Sequence, residues 1–143
     1  MIQSALDVIE DFTLVQDSDK LQLLLEYSEK LPDLDPRFGE HPELMERVEE
    51  CQSPVFIAVE GSAGEVRLHF SAPREAPTTR GFASVLSTAL NGQSAKDILE
   101  LSEDFPSQLG LDKLISPLRV RGMRGMLARI KRKTRELVGD VSN

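Results

Sequence analysis

Apolar positions recur along this chain in two rhythms. From Asp17 onward, Leu21, Leu24, Leu25, Ser28 and Leu31 follow at spacings of three and four residues. That spacing predicts a helix capped by Asp17 or Ser18 and ended at Pro32. Pro32–Gly39 is rich in breakers and predicts irregular chain, and a short helix is expected over His41–Val48, just ahead of Cys51. After Pro54 the rhythm becomes that of a strand. Val55–Val59 is β-branched and aromatic, Gly61–Gly64 is turn material, and Glu65–Ser71 alternates. Val66, Leu68 and Phe70 fall on one face, Arg67 and His69 on the other. The pattern predicts a β-hairpin with one covered side, and since an isolated hairpin is marginal in water, helices must cover it.

The remainder reads as helical. Thr78 or Thr79 is the expected cap of a segment whose stripe is Phe82, Val85, Leu86, Ala89 and Leu90, ended by Asn91-Gly92. Ser94 caps a short helix through Leu99, and Phe105–Gly110 is a brief helical turn. From Ser116-Pro117 to about Val138 runs a long amphipathic helix with Met123, Met126, Leu127, Ile130, Leu137 and Val138 inward. The expected fold is α+β. A small antiparallel sheet or hairpin packs against an N-terminal helix and a C-terminal helical block, in a single domain over 1–143 with its core at about 15–138.

Composition agrees with a globular domain: 40% of the 143 residues are hydrophobic and 29% charged. No stretch approaches the roughly 20 apolar residues of a membrane-spanning helix, so no membrane partner is expected. Met1–Asp7 shows no basic region followed by an apolar run. No signal peptide is therefore expected, and the expected compartment is the cytoplasm. The net charge of −7 argues against nucleic acid as a partner, which needs clustered Lys and Arg. The average conceals an asymmetry. Residues 1–60 hold 15 acids and 4 bases, whereas residues 111–143 hold 3 acids and 9 bases. The basic run Arg129–Arg135 reads most simply as the solvated face of the last helix, where cations favour the C-terminal end.

A lone cysteine cannot form an intramolecular disulfide, and in a reducing compartment its thiol stays available. Such a residue is commonly a small buried hydrophobe. Glu49-Glu50-Cys51-Gln52-Ser53-Pro54, however, has the composition of a loop, where function concentrates. A loop thiolate can act as a nucleophile with no catalytic triad. Glu50, placed beside the thiolate, is expected to raise the thiol pKa.

Cys51-Gln52-Ser53-Pro54-Val55-Phe56 resembles the Cys-Gln-Ser signature of the SufE family. Leu31-Pro32 is similar to the family's Leu-Pro, Arg80-Gly81 to its basic-Gly helix start, and Ser116-Pro117-Leu118-Arg119 with Gly122 and Met126 to its Ser/Thr-Pro-x-Arg stretch. The four segments lie in collinear order across nearly the whole chain. The resemblance implies a SufE/IscU-like α+β fold and no cofactor of the chain's own. It implies that Cys51, on an exposed loop, accepts persulfide sulfur from a SufS-like cysteine desulfurase, which uses pyridoxal phosphate. The sulfur then passes toward an iron–sulfur scaffold, and its removal stimulates the desulfurase, with no turnover by the acceptor itself. Carried over by position, Arg119 is the family's recurrent arginine, and Gln52, Ser53 and Glu50 are expected to support the loop or meet the partner. The family usually has glycine where this chain has Glu50.

Other constellations carry less. His41 and His69 stand alone, and with Cys51 they lack the spacing of a zinc site, so no metal is expected. Gly61–Gly64 precedes a strand, which makes it a hairpin turn and not a phosphate cradle. Two readings compete with the sulfur acceptor. One is a scaffold assembling a cluster on itself, for which one cysteine supplies too few ligands; the other is an interaction module whose cysteine is incidental.

Overall fold

A computed structural model describes residues 2–139 of the chain. Helices α1 (Gln3–Leu14) and α2 (Asp17–Ser28) lead into α3 (Pro36–Glu40) and a 3-10 turn at Pro42–Leu44. Strands β1 (Glu46–Arg47), β2 (Phe56–Gly61) and β3 (Val66–Ser71) follow, then helices α4 (Pro77–Leu90), α5 (Ala95–Glu100), α6 (Phe105–Gln108) and α7 (Pro117–Leu137). The sheet is antiparallel in the order β1-β2-β3, so the α+β expectation holds.

The hairpin follows the alternation. Phe56 pairs with Ser71 and Gly61 with Val66, which turns Val66, Leu68 and Phe70 into the core and leaves Arg67 exposed. Gly61 sits at φ +109°, where a Cβ would collide with the Glu65 carbonyl, so the turn requires glycine. His69 is only half-exposed. Its Nε2 meets Glu60 at 2.9 Å and its ring lies 4.7 Å from that of Phe38.

Helix α4 is the axis of the molecule. Gly81–Ser87, Ala89 and Leu90 are all buried, and α1, α2, β3 and α7 pack around them. The α2–α4 approach is so close that a Cβ on Gly81 would lie 2.5 Å from the Leu24 carbonyl. Beside it, Arg80 donates to the carbonyls of Ser28 (3.0 Å) and Ala72 (2.5 Å), which ties the start of α4 to the ends of α2 and β3. Helix α7 lies across β2 and α4, and buries Val120, Met123, Met126, Leu127 and Ile130.

Several expectations need correction. Helix α1, which lies ahead of the elements expected from the pattern, adds Ala5, Val8 and Phe12 to the core, and the Phe12 ring stacks on Tyr27 at 5.6 Å. Helix α2 has no side-chain cap. Asp17 pairs with Lys20 at 2.7 Å instead, and the helix stops at Ser28, ahead of Pro32. Neither Thr78 nor Thr79 caps α4, which opens at Pro77 after an Ala76 that offers no side-chain acceptor. The stretch expected to be irregular contains α3, capped by the Asp35 carboxylate on the Arg37 N–H (2.9 Å). The helix expected over His41–Val48 gives way to β1, since Glu46 and Arg47 pair with Ile57 and Phe56. The caps at Ser94 and Ser116 form as expected. Among the described residues no helix is long and apolar enough to cross a membrane.

Candidate functional site

Cys51 lies in the short loop from β1 to β2. The Val48 N–H donates to the Val55 carbonyl at 2.9 Å and closes the base of this loop, while the Cys51 N–H turns back to the Val48 carbonyl at 3.1 Å. Val48 and Val55 are fully buried on either side and anchor it. The expected exposure of the thiol is not found: Cys51 is only 7% exposed. The reason lies on α7. Gly122 presents bare backbone to the loop, and a Cβ there would stand 3.0 Å from the Cys51 Sγ. Burial, and secondarily the Glu50 charge, push the thiol pKa up to about 11; Arg129 and Arg47 pull weakly the other way. The effect expected of Glu50 is therefore present but comes second to desolvation.

A cleft of about 340 Å³ opens beside the thiol. Cys51, Gln52 and Ser53 form one wall, Arg119 and Gly122 of α7 another, and Thr78 with Phe82 from the start of α4 the third. Gln52 is exposed and Ser53 half-buried. Arg119 is exposed and makes no ion pair among the described residues, so its guanidinium is available at the cleft mouth. Leu118, 43% exposed, adds an apolar rim. Two of the four segments singled out in the sequence thus meet here, and Arg80-Gly81 acts from behind by fixing the start of α4. Leu31-Pro32 lies elsewhere, against His69 and Phe70.

Glu50 turns away from the cleft. Its carboxylate accepts from Arg129 Nε (3.1 Å) and Nη2 (2.9 Å), and that pairing holds its pKa below the usual carboxylate range. Arg129 also donates to Glu46 at 2.5 Å, and Glu46 takes further contacts from Arg132 and from Lys133 at 3.3 Å. Burial works to raise the Glu46 pKa, but these cations outweigh it and the net shift is downward. The basic run is therefore not a uniformly solvated face. Even Lys131 is buried, and it donates to the carbonyls of Leu99 (3.4 Å) and Leu101. Sequence reasoning missed Glu46, Gly125 and Arg129. The acidic excess before Cys51 and the basic excess after residue 111 were the available signal, since part of each neutralises the other across this contact.

Chemically, the arrangement offers one shielded thiol, an adjoining cleft and a free cation at its mouth. The SufE family model, described as an Fe–S metabolism associated domain, matches residues 6–134. SufE-like proteins of two Mycobacterium tuberculosis strains, CDC 1551 and H37Rv, are 58% identical over 131 residues, which cover 91% of this chain and 90% of theirs. A chloroplastic quinolinate synthase of Nicotiana tabacum is 31% identical over 137 residues, spanning 93% of this chain and 18% of that protein. The solution structure of a hypothetical protein from Thermus thermophilus shares the fold with a TM-score of 0.83 at 34% identity, covering 96% of this chain and 97% of that one.

Proposed function

The chain belongs to the SufE family, whose domain is associated with Fe–S metabolism, and from that premise we propose that Cys51 accepts persulfide sulfur from a cysteine desulfurase and relays it to iron–sulfur cluster assembly. The Cys51 thiolate attacks the outer sulfur of the donor's persulfide. A new S–S bond forms on Cys51, the donor's S–S bond breaks, and the donor cysteine leaves as a thiolate. The proton on the outer sulfur stays with it, and the exchange needs no oxidant. The chain brings no cofactor; the pyridoxal phosphate belongs to the desulfurase, which is stimulated when its sulfur is removed.

The observation that carries this reading is the placement of the chain's one cysteine, within the Cys-Gln-Ser segment, on a cleft that Arg119 overlooks. The resting thiol is poorly ionised. At a pKa of about 11, roughly one molecule in ten thousand is thiolate at pH 7. Stray electrophiles then find little to react with, and docking must both uncover and ionise the thiol. Arg119, on the same cleft, is a further cation placed to favour the anion once the loop moves.

Incubation with a cysteine desulfurase and cysteine, followed by intact mass, tests the proposal. A gain of about 32 Da, one sulfur, is expected; it is reversed by dithiothreitol and absent in Cys51→Ser. Loading of Cys51→Ser to the same extent would falsify it.

A further inference from the structure

On one face of α7, Gly122, Gly125 and Arg129 stand at successive turns. Each meets a different part of the cysteine loop. Gly122 faces the Cys51 sulfur. A Cβ on Gly125 would lie 2.7–2.8 Å from the Glu50 side chain, so the glutamate stem can lie flat only because that position is glycine. Arg129 then receives the carboxylate head with two hydrogen bonds. The same guanidinium binds Glu46, four residues earlier, so a single arginine grips the segment both ahead of the Val48–Cys51 turn and within it.

We infer that Arg129, acting through Glu50 and Glu46, is a positioning residue that latches the cysteine loop against α7, and that the thiol becomes accessible only when the Glu50–Arg129 pair parts. This deepens the sulfur-acceptor reading and rests on it for its purpose, though not for its test. A loop thiol that is buried in its own domain must be released before a donor can reach it. The residue before the cysteine is the handle with the greatest leverage, because it moves with the thiol. Glycine there would leave the loop held by its backbone contacts, the buried valines and the Glu46 pairing; glutamate adds a charge-assisted, two-pronged contact from a half-buried arginine at the residue next to the thiol. The charged groups around the latch are few. Arg47 comes from β1, Arg121 from α7, and Arg132 and Lys133 hold Glu46. A partner that presents a carboxylate to Arg129, or a cation to Glu50, would open it by exchange.

The test is the rate of Cys51 alkylation by iodoacetamide at pH 7.5, read by intact mass. Glu50→Gln removes one side of the ion pair and the negative charge beside the sulfur; the rate is expected to rise about tenfold, the scale of one charged hydrogen bond. Arg129→Gln opens the loop but leaves the Glu50 charge, so a smaller rise, of about threefold or more, is expected. Arg129→Lys restores part of the wild-type rate, because an ammonium can pair without the two-pronged geometry. Arg135→Gln, which removes the same charge from the exposed side of α7, leaves the rate unchanged. In the wild type, added sodium chloride accelerates alkylation, whereas Glu50→Gln is insensitive to it. Rates within twofold of wild type in folded Glu50→Gln and Arg129→Gln overturn the latch, as does a wild-type rate indifferent to salt if either variant fails to fold. None of these measurements involves a desulfurase. Failure of sulfur loading in the wild type would therefore count against the proposed function and leave the latch standing.

Discussion

Replacing Gly122 with alanine puts one carbon where the structure leaves room for none. The new Cβ would lie 3.0 Å from the Cys51 Sγ, 3.7 Å from its Cα and 3.8 Å from the Glu50 carbonyl oxygen. Ordinary contacts are about 3.5–4.0 Å, so the sulfur must retreat by about 0.5–1 Å. Two effects on stability oppose one another. Alanine in a helix interior is worth up to about 1 kcal/mol over glycine, while forcing a methyl into a packed contact costs about 1–3 kcal/mol. The net is a loss of about 0–2 kcal/mol, and each kcal/mol lowers the melting temperature of a chain this size by about 2–4 °C. The effect on the thiol is larger, because it is set by desolvation. If displacement recovers even one of the roughly two pKa units that separate the buried thiol, at about 11, from its ordinary value of 9.0, the thiolate population at pH 7 rises about tenfold. The assay is disulfide exchange with Ellman's reagent from pH 6 to 9, beside a thermal melt. Faster exchange with a modest melting shift is expected. Wild-type exchange rates at every pH, coupled with a melting drop beyond about 8 °C, would place the strain in α7 and refute the view that Gly122 holds the thiol in.

Four further outcomes follow from the same structure. Arg119→Gln should leave stability within about 0.5 kcal/mol, as for an exposed side chain, yet slow sulfur loading by a desulfurase; unchanged loading with unchanged stability would remove Arg119 from the mechanism. Gly81→Ala should cost about 1–3 kcal/mol in urea unfolding, since its Cβ would meet the Leu24 carbonyl at 2.5 Å and backbone cannot swing aside. The Cys51 thiol is raised in the folded state, so its contribution to stability is full below its unfolded pKa and lost as pH climbs toward about 11. Wild type should therefore lose about 2–3 kcal/mol over that window that Cys51→Ser does not lose. Glu46 and Glu50 are lowered in the folded state, so their contribution is present above the unfolded carboxylate pKa and lost as pH falls through the folded one. Acid unfolding of the Glu46→Gln, Glu50→Gln double variant should consequently be less steep below about pH 4.

Local pattern was enough for the elements whose signals are local. The hairpin showed in the alternation of Val66, Leu68 and Phe70, α7 in Ser116-Pro117 and its apolar stripe, and α5 in the Ser94 cap. The missed elements owe their form to distant partners. Helix α1 has no side-chain cap and is held by packing Ala5, Val8 and Phe12 on the rest of the core. Strand β1 is two residues long and exists only because β2 offers Ile57 and Phe56 for pairing. The site divides in the same way. Cys51 and the Arg119 that shares its cleft were legible because their segments are distinctive. The thiol's burial was not, because it depends on Gly122 and Gly125, whose proximity to the loop only the fold creates. Nor was the role of Arg129, which meets Glu50 and Glu46 across 79 and 83 positions of sequence.

The hydrogen bond from Val48 to Val55 fixes the length of the arm on which the sulfur travels. Cys51 stands three Cα steps beyond that closure, and a fully extended chain spans about 3.3–3.6 Å per residue, so its backbone can reach no farther than about 10 Å from Val48 while the base stays shut. Arg80 holds the start of α4 to two carbonyls, so the opposite wall of the cleft does not travel to meet a visitor. A donor whose sulfur lies deeper than that below its own surface must therefore deliver it on a mobile segment, or part Val48 from Val55 before delivery.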